Sequence, residues 1–265
     1  MSQRKHTAAI AVLCALLFAG SSVLIYYACY SGAQAAAEKA QTEIKPPTAA
    51  MTQSGLSAVT AADPAQPKNT AKENETSPYS LPLMDFTALK ATNPQIIAWL
   101  TIPNTDIDYA ICQGADNSYY LTHTALRRSG ICGSPFLDCG LSVDFSAFNN
   151  VVYGHNMPGG TMFSDLTKFK TRSFFDANPY GVLYTPGHTY KLDIFACILT
   201  NSMGDAYTLG CASAADRRGY LEMLQGEAMY WRDFGAAPGD HILTLSTCSY
   251  EFKDARTVIS AIIVP

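Results

Sequence analysis

Thr244-Leu-Ser-Thr-Cys248 is followed by Ser249-Tyr-Glu-Phe-Lys-Asp-Ala255 and then by Arg256-Thr-Val-Ile-Ser-Ala-Ile-Ile-Val264. The outer segments predict two strands, and the polar segment between them predicts their connection. Alternate residues of a strand share a face, so Ser246 and Cys248 point the same way. If the strands pair antiparallel, Arg256 lies close to Cys248. A guanidinium beside a thiol favours the thiolate and stabilises a developing oxyanion, which predicts an acyl-transfer site.

A reactive thiolate needs an acid–base partner, and His155 is the histidine best placed to supply one. The segment Asn149-Asn-Val-Val-Tyr-Gly-His155-Asn predicts a short apolar strand that breaks at Gly154 and presents the imidazole at its end. Functional sites are usually built in the loops beyond strand ends. An isolated histidine of this kind is more often a structural residue, but Cys248 and Arg256 in the same chain favour an acid–base role. The remaining histidines occupy surface or turn contexts: His6, His123, His188 and His241.

These segments resemble those of one protein family, the class B sortases. The cysteine, histidine and arginine motifs occur in the order found in that family, and the similarity covers roughly Leu83 to Val264. Four further segments share in it: Asn93-Pro-Gln-Ile-Ile-Ala-Trp-Leu100, Asp116-Asn-Ser-Tyr-Tyr-Leu121, Ser134-Pro-Phe-Leu-Asp138 and Met162-Phe-Ser-Asp-Leu166.

The resemblance implies a cysteine transpeptidase of Gram-positive bacteria. Cys248 would attack a sorting-signal peptide between Thr and Gly, and His155 would protonate the departing amine and later accept a proton from the incoming one. Arg256 would position the peptide and neutralise the oxyanion. The amine acceptor would come from a peptidoglycan cross-bridge or from a pilin lysine.

The same resemblance implies three substrate-binding residues, Ser246, Asn117 and Leu121. Each has a structural alternative. Ser246 would then be a strand hydroxyl that faces a neighbour, Asn117 would cap a turn, and Leu121 would pack in the core.

Residues 8–30 carry no Asp, Glu, Lys or Arg. Such a helix, at about 1.5 Å rise per residue, can cross a hydrocarbon core of about 30 Å. Arg4 and Lys5 precede it, which predicts a single-pass membrane protein with residues 1–7 cytoplasmic and the rest outside. The alternative is a cleaved signal peptide that ends near Ala33-Gln-Ala35. Residues 31–80 are poor in large apolar side chains and predict a disordered extracellular linker.

Residues 81–265 predict one catalytic domain that is mainly β with peripheral helices (α+β), in which short strands close a sortase-type barrel. One or two N-terminal helices are expected from Phe86 to Leu100, with a break at Asn93-Pro94. A long helix is expected from Ala214 to Tyr230, in the connection before the Cys248 strand, and the resemblance makes this helix a class B feature. Two shorter helices are expected at 165–169 and 173–177. Strands are expected at 107–112, 133–137, 150–153, 181–184, 191–199, 241–247 and 257–264.

Composition excludes several classes of function. The net charge of −4 argues against nucleic acid as a partner. No cysteine or histidine spacing is typical of a zinc site and no glycine-rich phosphate loop occurs, so we expect neither a metal nor an organic cofactor. Outside residues 8–30, five cysteines besides Cys248 cannot all pair, and we expect Cys132 and Cys139 to be free thiols.

Two other classes of protein remain as alternatives. A papain-like cysteine peptidase would also use Cys and His, although it normally places the cysteine early and at a helix N-terminus. A non-catalytic anchored binding module would bury Cys248 as a core thiol and keep His155 as a structural residue.

Overall fold

The structure is a computed structural model that describes residues 83–265 together with the isolated positions 31, 32, 35, 39, 43 and 44. The predicted membrane span at residues 8–30 and most of the predicted linker lie outside the described residues. Within the described part, no helix has both the length and the apolar character needed to cross a membrane. Of the described linker positions, Ile44 is buried against the folded domain.

The strands close into a barrel, as predicted, and the ring contains eight strands where seven were expected, with a ninth strand that extends it. The sheet order is β5-β1-β2-β3-β4-β8-β9-β6-β7, and the additional pairing of β5 with β6 closes the ring. The strands are β1 (Ile96–Thr101), β2 (Asp108–Cys112), β3 (Phe136–Leu137), β4 (Asn149–Tyr153), β5 (Tyr180–Thr185), β6 (His188–Asn201), β7 (Ala228–Trp231), β8 (His241–Cys248) and β9 (Ala255–Val264).

Three helices and three 3-10 turns of residues 83–265 accompany the barrel. They are α1 (Thr87–Thr92), α2 (Arg172–Ala177) and α3 (Ala214–Glu227), with 3-10 turns at Tyr119–Leu121, Ser164–Lys170 and Asp205–Tyr207. Ser213 begins α3 through a capping box, in which its hydroxyl accepts from Asp216 N and the Asp216 carboxylate accepts from Ser213 N. Leu221 and Leu224 of α3 pack against Phe195 on the outer face of β6. The predicted helix before the Cys248 strand is thus present.

The inner face of the barrel holds the main core. Leu243 and Leu245 of β8 and Ile259 and Ala261 of β9 are buried there, and Phe169 from the 3-10 turn at Ser164–Lys170 belongs to the same cluster. Because Ser246 and Cys248 alternate with these residues, their side chains leave the core and reach the outer face at the rim.

Several predictions of secondary structure were wrong in type or in boundary. The strand expected at 133–137 is only Phe136–Leu137, and the helix expected at 165–169 is a 3-10 turn at Ser164–Lys170. Residues Ile96–Thr101 form strand β1 instead of a second N-terminal helix. Ile97 and Leu100 pack inside the barrel while Ile96 and Trp99 pack outside it. A strand buried on both faces shows no polar alternation, so periodicity alone does not distinguish it from a buried helix. The long helix ends at Glu227, because residues 228–231 pair with β6 as strand β7.

Candidate active site

Two parallel strands bring His155 and Cys248 to the same rim of the barrel. β4 and β8 are neighbours, and their last pair is Tyr153 with Ser246. His155 and Cys248 each lie two residues further along, so they emerge together. Two hydrogen bonds join the ends of β4 and β8 at this rim. Gly154 N donates to Ser246 O at 3.0 Å. Thr247 Oγ1 donates to Gly154 O at 2.8 Å.

Arg256 lies beside Cys248, as the antiparallel pairing predicts. The two residues are direct cross-strand partners in β8 and β9. The guanidinium is held by its own connection: Nη1 donates to Ala255 O at 3.0 Å and to Asp254 O at 3.2 Å, and Nη2 is 2.9 Å from Asp254 Oδ1. Asp254 has a φ of 64°, a left-handed conformation uncommon for a non-glycine residue. Its other oxygen accepts from Ser202 Oγ, and this hydrogen bond and the nearby Arg256 lower the pKa of Asp254.

The connection between β8 and β9 is also tied to the body of the domain on its other side. Lys170 Nζ donates to Ser249 Oγ at 3.0 Å and forms an ion pair with Glu251. Thr257 Oγ1 donates to Ser249 Oγ at 3.1 Å. The segment between Cys248 and Arg256 is therefore anchored at both ends.

A hydrogen bond to a backbone carbonyl determines which ring nitrogen of His155 carries the proton. Its Nε2 lies 2.8 Å from Leu121 O. A backbone carbonyl only accepts hydrogen bonds, so the proton of the neutral ring is on Nε2 and Nδ1 is the acceptor. Asn156 Nδ2 donates to Cys248 O at 2.8 Å, which ties the histidine loop to the end of the cysteine strand.

A cavity of about 300 Å³ opens between these elements. All six residues predicted for the site line it: Asn117, Leu121, His155, Ser246, Cys248 and Arg256. Six more residues that the sequence did not single out complete the wall: Phe136, Tyr153, Gly154, Ser202, Tyr207 and Thr247. The aromatic residues are in contact, with ring centroids 5.4 Å apart for Phe136 and Tyr153 and 6.2 Å apart for Tyr153 and Tyr207.

The three predicted substrate-binding residues differ in how they are held. Ser246 Oγ lies 2.8 Å from Tyr207 OH, so it bonds a neighbour and also faces the cavity. Asn117 Nδ2 donates to Asp138 at 2.8 Å, a contact between segments rather than a turn cap. Leu121 is 38% exposed, which excludes core packing as its role.

The cysteines separate into buried and accessible groups. All six cysteines of the described part are free thiols. Burial raises the pKa of the Cys112 and Cys197 thiols to about 12, and burial also raises the pKa of Cys132 and Cys211. Cys139 is exposed and Cys248 is partly buried. Among the described residues, no cluster of three or more His, Cys, Asp or Glu is arranged to hold a metal ion.

Comparison with known proteins finds sortase B relatives. Sortase B of Listeria monocytogenes is 35% identical over 181 residues, which cover 66% of this chain and 72% of the relative. The crystal structure of Clostridium perfringens sortase B superposes with a TM-score of 0.64 at 34% identity, covering 67% of this chain and 98% of that structure. A sortase B–substrate complex from Staphylococcus aureus gives a TM-score of 0.64 at 25% identity, covering 68% of this chain and 84% of that chain. No protein-family model matches the chain.

The closed barrel with a cysteine, a histidine and an arginine at one rim defines a sortase-type cysteine transpeptidase. The long helix α3 precedes the cysteine strand, and the relatives at 35% and 34% identity are both sortase B proteins. The chain belongs to the class B sortases.

Proposed function

We propose that this enzyme cleaves a C-terminal sorting signal between Thr and Gly and transfers the acyl group to an amine. The amine would belong to a peptidoglycan cross-bridge or to a pilin lysine. The observation that carries the proposal is the convergence of Cys248, His155 and Arg256 on one cavity of about 300 Å³, at the end of two parallel strands. Family membership supports the choice of a peptide as substrate.

In the first step the Cys248 thiolate attacks the Thr carbonyl, and a tetrahedral oxyanion forms. The C–N bond to Gly then breaks, the His155 imidazolium gives the leaving amine the proton that it took from the Cys248 thiol, and a thioester on Cys248 remains. In the second step the incoming amine attacks the thioester and gives a proton to His155. The C–S bond breaks and the Cys248 thiolate returns.

Arg256 would stabilise the oxyanion and hold the peptide. A guanidinium has five N–H donors in one plane. The contacts to Ala255 O and Asp254 engage Nη1 and one side of Nη2. Nε and the second N–H of Nη2 are then the donors for a peptide carbonyl and the developing oxyanion.

Ser246, Asn117 and Leu121 would bind the peptide along the cavity wall. Ser246 shares its hydrogen bond with Tyr207, which also lines the cavity. Burial raises the pKa of Tyr207. The phenol therefore stays protonated at neutral pH and can donate a hydrogen bond.

We also propose a cell-surface location. Residues 1–7 would be cytoplasmic, residues 8–30 would anchor the chain in the membrane, and residues 31–80 would link the anchor to the catalytic domain at 81–265. Ile44 of this linker packs against the folded domain, so residues 31–80 are not one free random coil. A tether of this kind keeps the domain near the outer face of the membrane, where sorting signals and wall precursors are accessible.

Mass spectrometry of residues 81–265 with candidate sorting peptides, with and without an amine, tests the proposal. A thioester on Cys248 that amine resolves faster than water supports transpeptidation. Rapid resolution by water would instead indicate a peptidase, and no adduct would indicate a binding module. Cys248→Ala and His155→Ala should abolish turnover, and Cys248→Ser should be nearly as inactive because a hydroxyl is a far poorer nucleophile. Cys139→Ala is the matched control, since it removes the other accessible thiol.

A further inference from the structure

Asp138 is a buried carboxylate at the end of β3, immediately behind the cavity wall. It is 8% exposed. Its Oδ2 accepts from Asn117 Nδ2 at 2.8 Å and from Tyr153 OH at 3.1 Å, and its Oδ1 accepts from Gly140 N at 2.9 Å. Asn117 and Tyr153 both line the cavity, whereas Asp138 does not. Asp138 therefore touches the site only through two of its wall residues.

The hydrogen bonds around Asn117 define which way its amide points. Cys139 N donates to Asn117 Oδ1 at 2.8 Å. A backbone N–H only donates and an ionised carboxylate only accepts, so the atom facing Cys139 must be oxygen and the atom facing Asp138 must be nitrogen. A flipped amide would set two donors against each other and two acceptors against each other. The amide is thus held in one orientation, and because Asn117 lines the cavity, its second Nδ2 proton is the donor that it can offer there.

The backbone of Asp138 is held on both sides by hydrogen bonds. Asp138 N donates to Val151 O of β4 at 2.9 Å, and Asp138 O accepts from Gln113 Nε2 at 2.9 Å. Burial and the nearby Asp138 carboxylate raise the pKa of Tyr153. The Tyr153 phenol therefore keeps its proton at neutral pH and stays a donor to Asp138.

We infer that Asp138 is a positioning residue that sets the peptide preference of the site, by holding Asn117 with an N–H donor toward the cavity. The inference rests on the proposed function and adds a chemical preference to it. The groove should select a peptide that offers a hydrogen-bond acceptor opposite Asn117. A donor at that place would meet the Asn117 N–H and be rejected, because an unpaired buried polar group is costly.

Two variants separate positioning from mere structural support. In Asp138→Asn the new amide has only one oxygen, so it cannot accept from Gly140 N and from the Asn117–Tyr153 side together. The double variant Asn117→Asp with Asp138→Asn restores an amide–carboxylate hydrogen bond. In it the carboxylate at position 117 still accepts from Cys139 N, but position 117 no longer has a donor. Asp144→Asn is the control, because it removes an exposed carboxylate that bonds only within its own loop, to Ser142 and Ser146.

The measurements are peptide KM and kcat, the melting temperature, and the rate at which iodoacetamide alkylates Cys248. We expect Asp138→Asn to raise KM roughly 10- to 100-fold with kcat within about threefold of wild type. Alkylation should be unchanged, since Cys248 and His155 do not contact Asp138. The double variant should recover the melting temperature and keep the raised KM. Asp144→Asn should match wild type in all three.

Two results would overturn the inference. An Asp138→Asn enzyme with wild-type KM shows that the carboxylate does not act on the peptide. A double variant that recovers both melting temperature and KM shows that only the hydrogen bond, and not the placement of the donor, is needed. These outcomes require an active wild type. A wild type that forms no thioester with any sorting peptide would overturn the proposed function itself, and the inference with it.

Discussion

Replacing Arg256 with lysine separates charge from geometry at the site. The substitution keeps the positive charge, but it replaces a planar group with five donors by a single ammonium. In the structure the guanidinium spans Ala255 O, Asp254 O and Asp254 Oδ1 at 3.0, 3.2 and 2.9 Å. One Nζ cannot reach these acceptors in their fixed directions and also meet a peptide oxyanion. We therefore expect lysine to fail as a replacement.

The expected loss follows from the number of donors removed at the reacting centre. Removing one positioned donor to an oxyanion typically costs about 10² to 10³ in rate. We expect a fall of that order in kcat/KM for Arg256→Lys and a similar or larger fall for Arg256→Ala. Stability should change little, because the partner carboxylate of Asp254 is 46% exposed and exposed ion pairs contribute little. The melting temperature should move by no more than about 4 °C in a domain of this size.

The assay is steady-state cleavage of a sorting peptide, with melting temperature measured on the same preparations. Arg172→Lys is the matched control. Arg172 Nε pairs with Asp176 Oδ2 at 2.8 Å, with 64% and 50% of the two side chains exposed, on a helix that does not line the cavity. A lysine variant within about threefold of wild type would reduce Arg256 to a nearby charge. A large fall in melting temperature would instead make it a structural residue.

Three further outcomes are expected. A Cβ on Gly154 would lie 2.5 Å from the buried Phe163 ring. Gly154→Ala should therefore cost about 1–3 kcal/mol of unfolding free energy and displace His155. Full activity and stability in this variant would contradict that contact. Brief iodoacetamide treatment of the folded domain at pH 8 should label only Cys139 and Cys248. Burial raises the pKa of Cys112 and Cys197 to about 12 and keeps those thiols protonated. Labelling of all six described thiols, counted by mass spectrometry, would refute this. Removing residues 1–80 should leave a soluble, monomeric and active domain. Its free energy of unfolding should fall by at most about 1.5–3 kcal/mol, because the burial of Ile44 is lost. Activity that survives only in the longer chain would show that the linker belongs to the site.

The sequence by itself determined that Cys248, His155 and Arg256 lie together at one rim of the barrel, because local sequence patterns place each of them at a strand end. A period-2 run that ends at Cys248, a second run that starts at Arg256 and a strand that breaks at Gly154 require only strand alternation and one antiparallel pairing to bring three chemical groups together. The barrel was also predictable from the repeated short strands and turns. The long helix was predictable from its apolar spacing, and its start at Ala214 agrees with the Ser213 capping box.

Tertiary structure alone decided the features that depend on contacts between distant segments of the chain. β1 is a strand because both of its faces are covered, and β7 is a strand because it completes the open edge of β6. Asp138 meets Tyr153 where β3 and β4 pair, and it meets Asn117 in the connection before β3, from 15 and 21 residues away along the chain. Local propensity and periodicity describe neighbours within a few residues. They carry no information on which distant side chains a closed sheet brings into contact, and those contacts orient the groups that line the cavity.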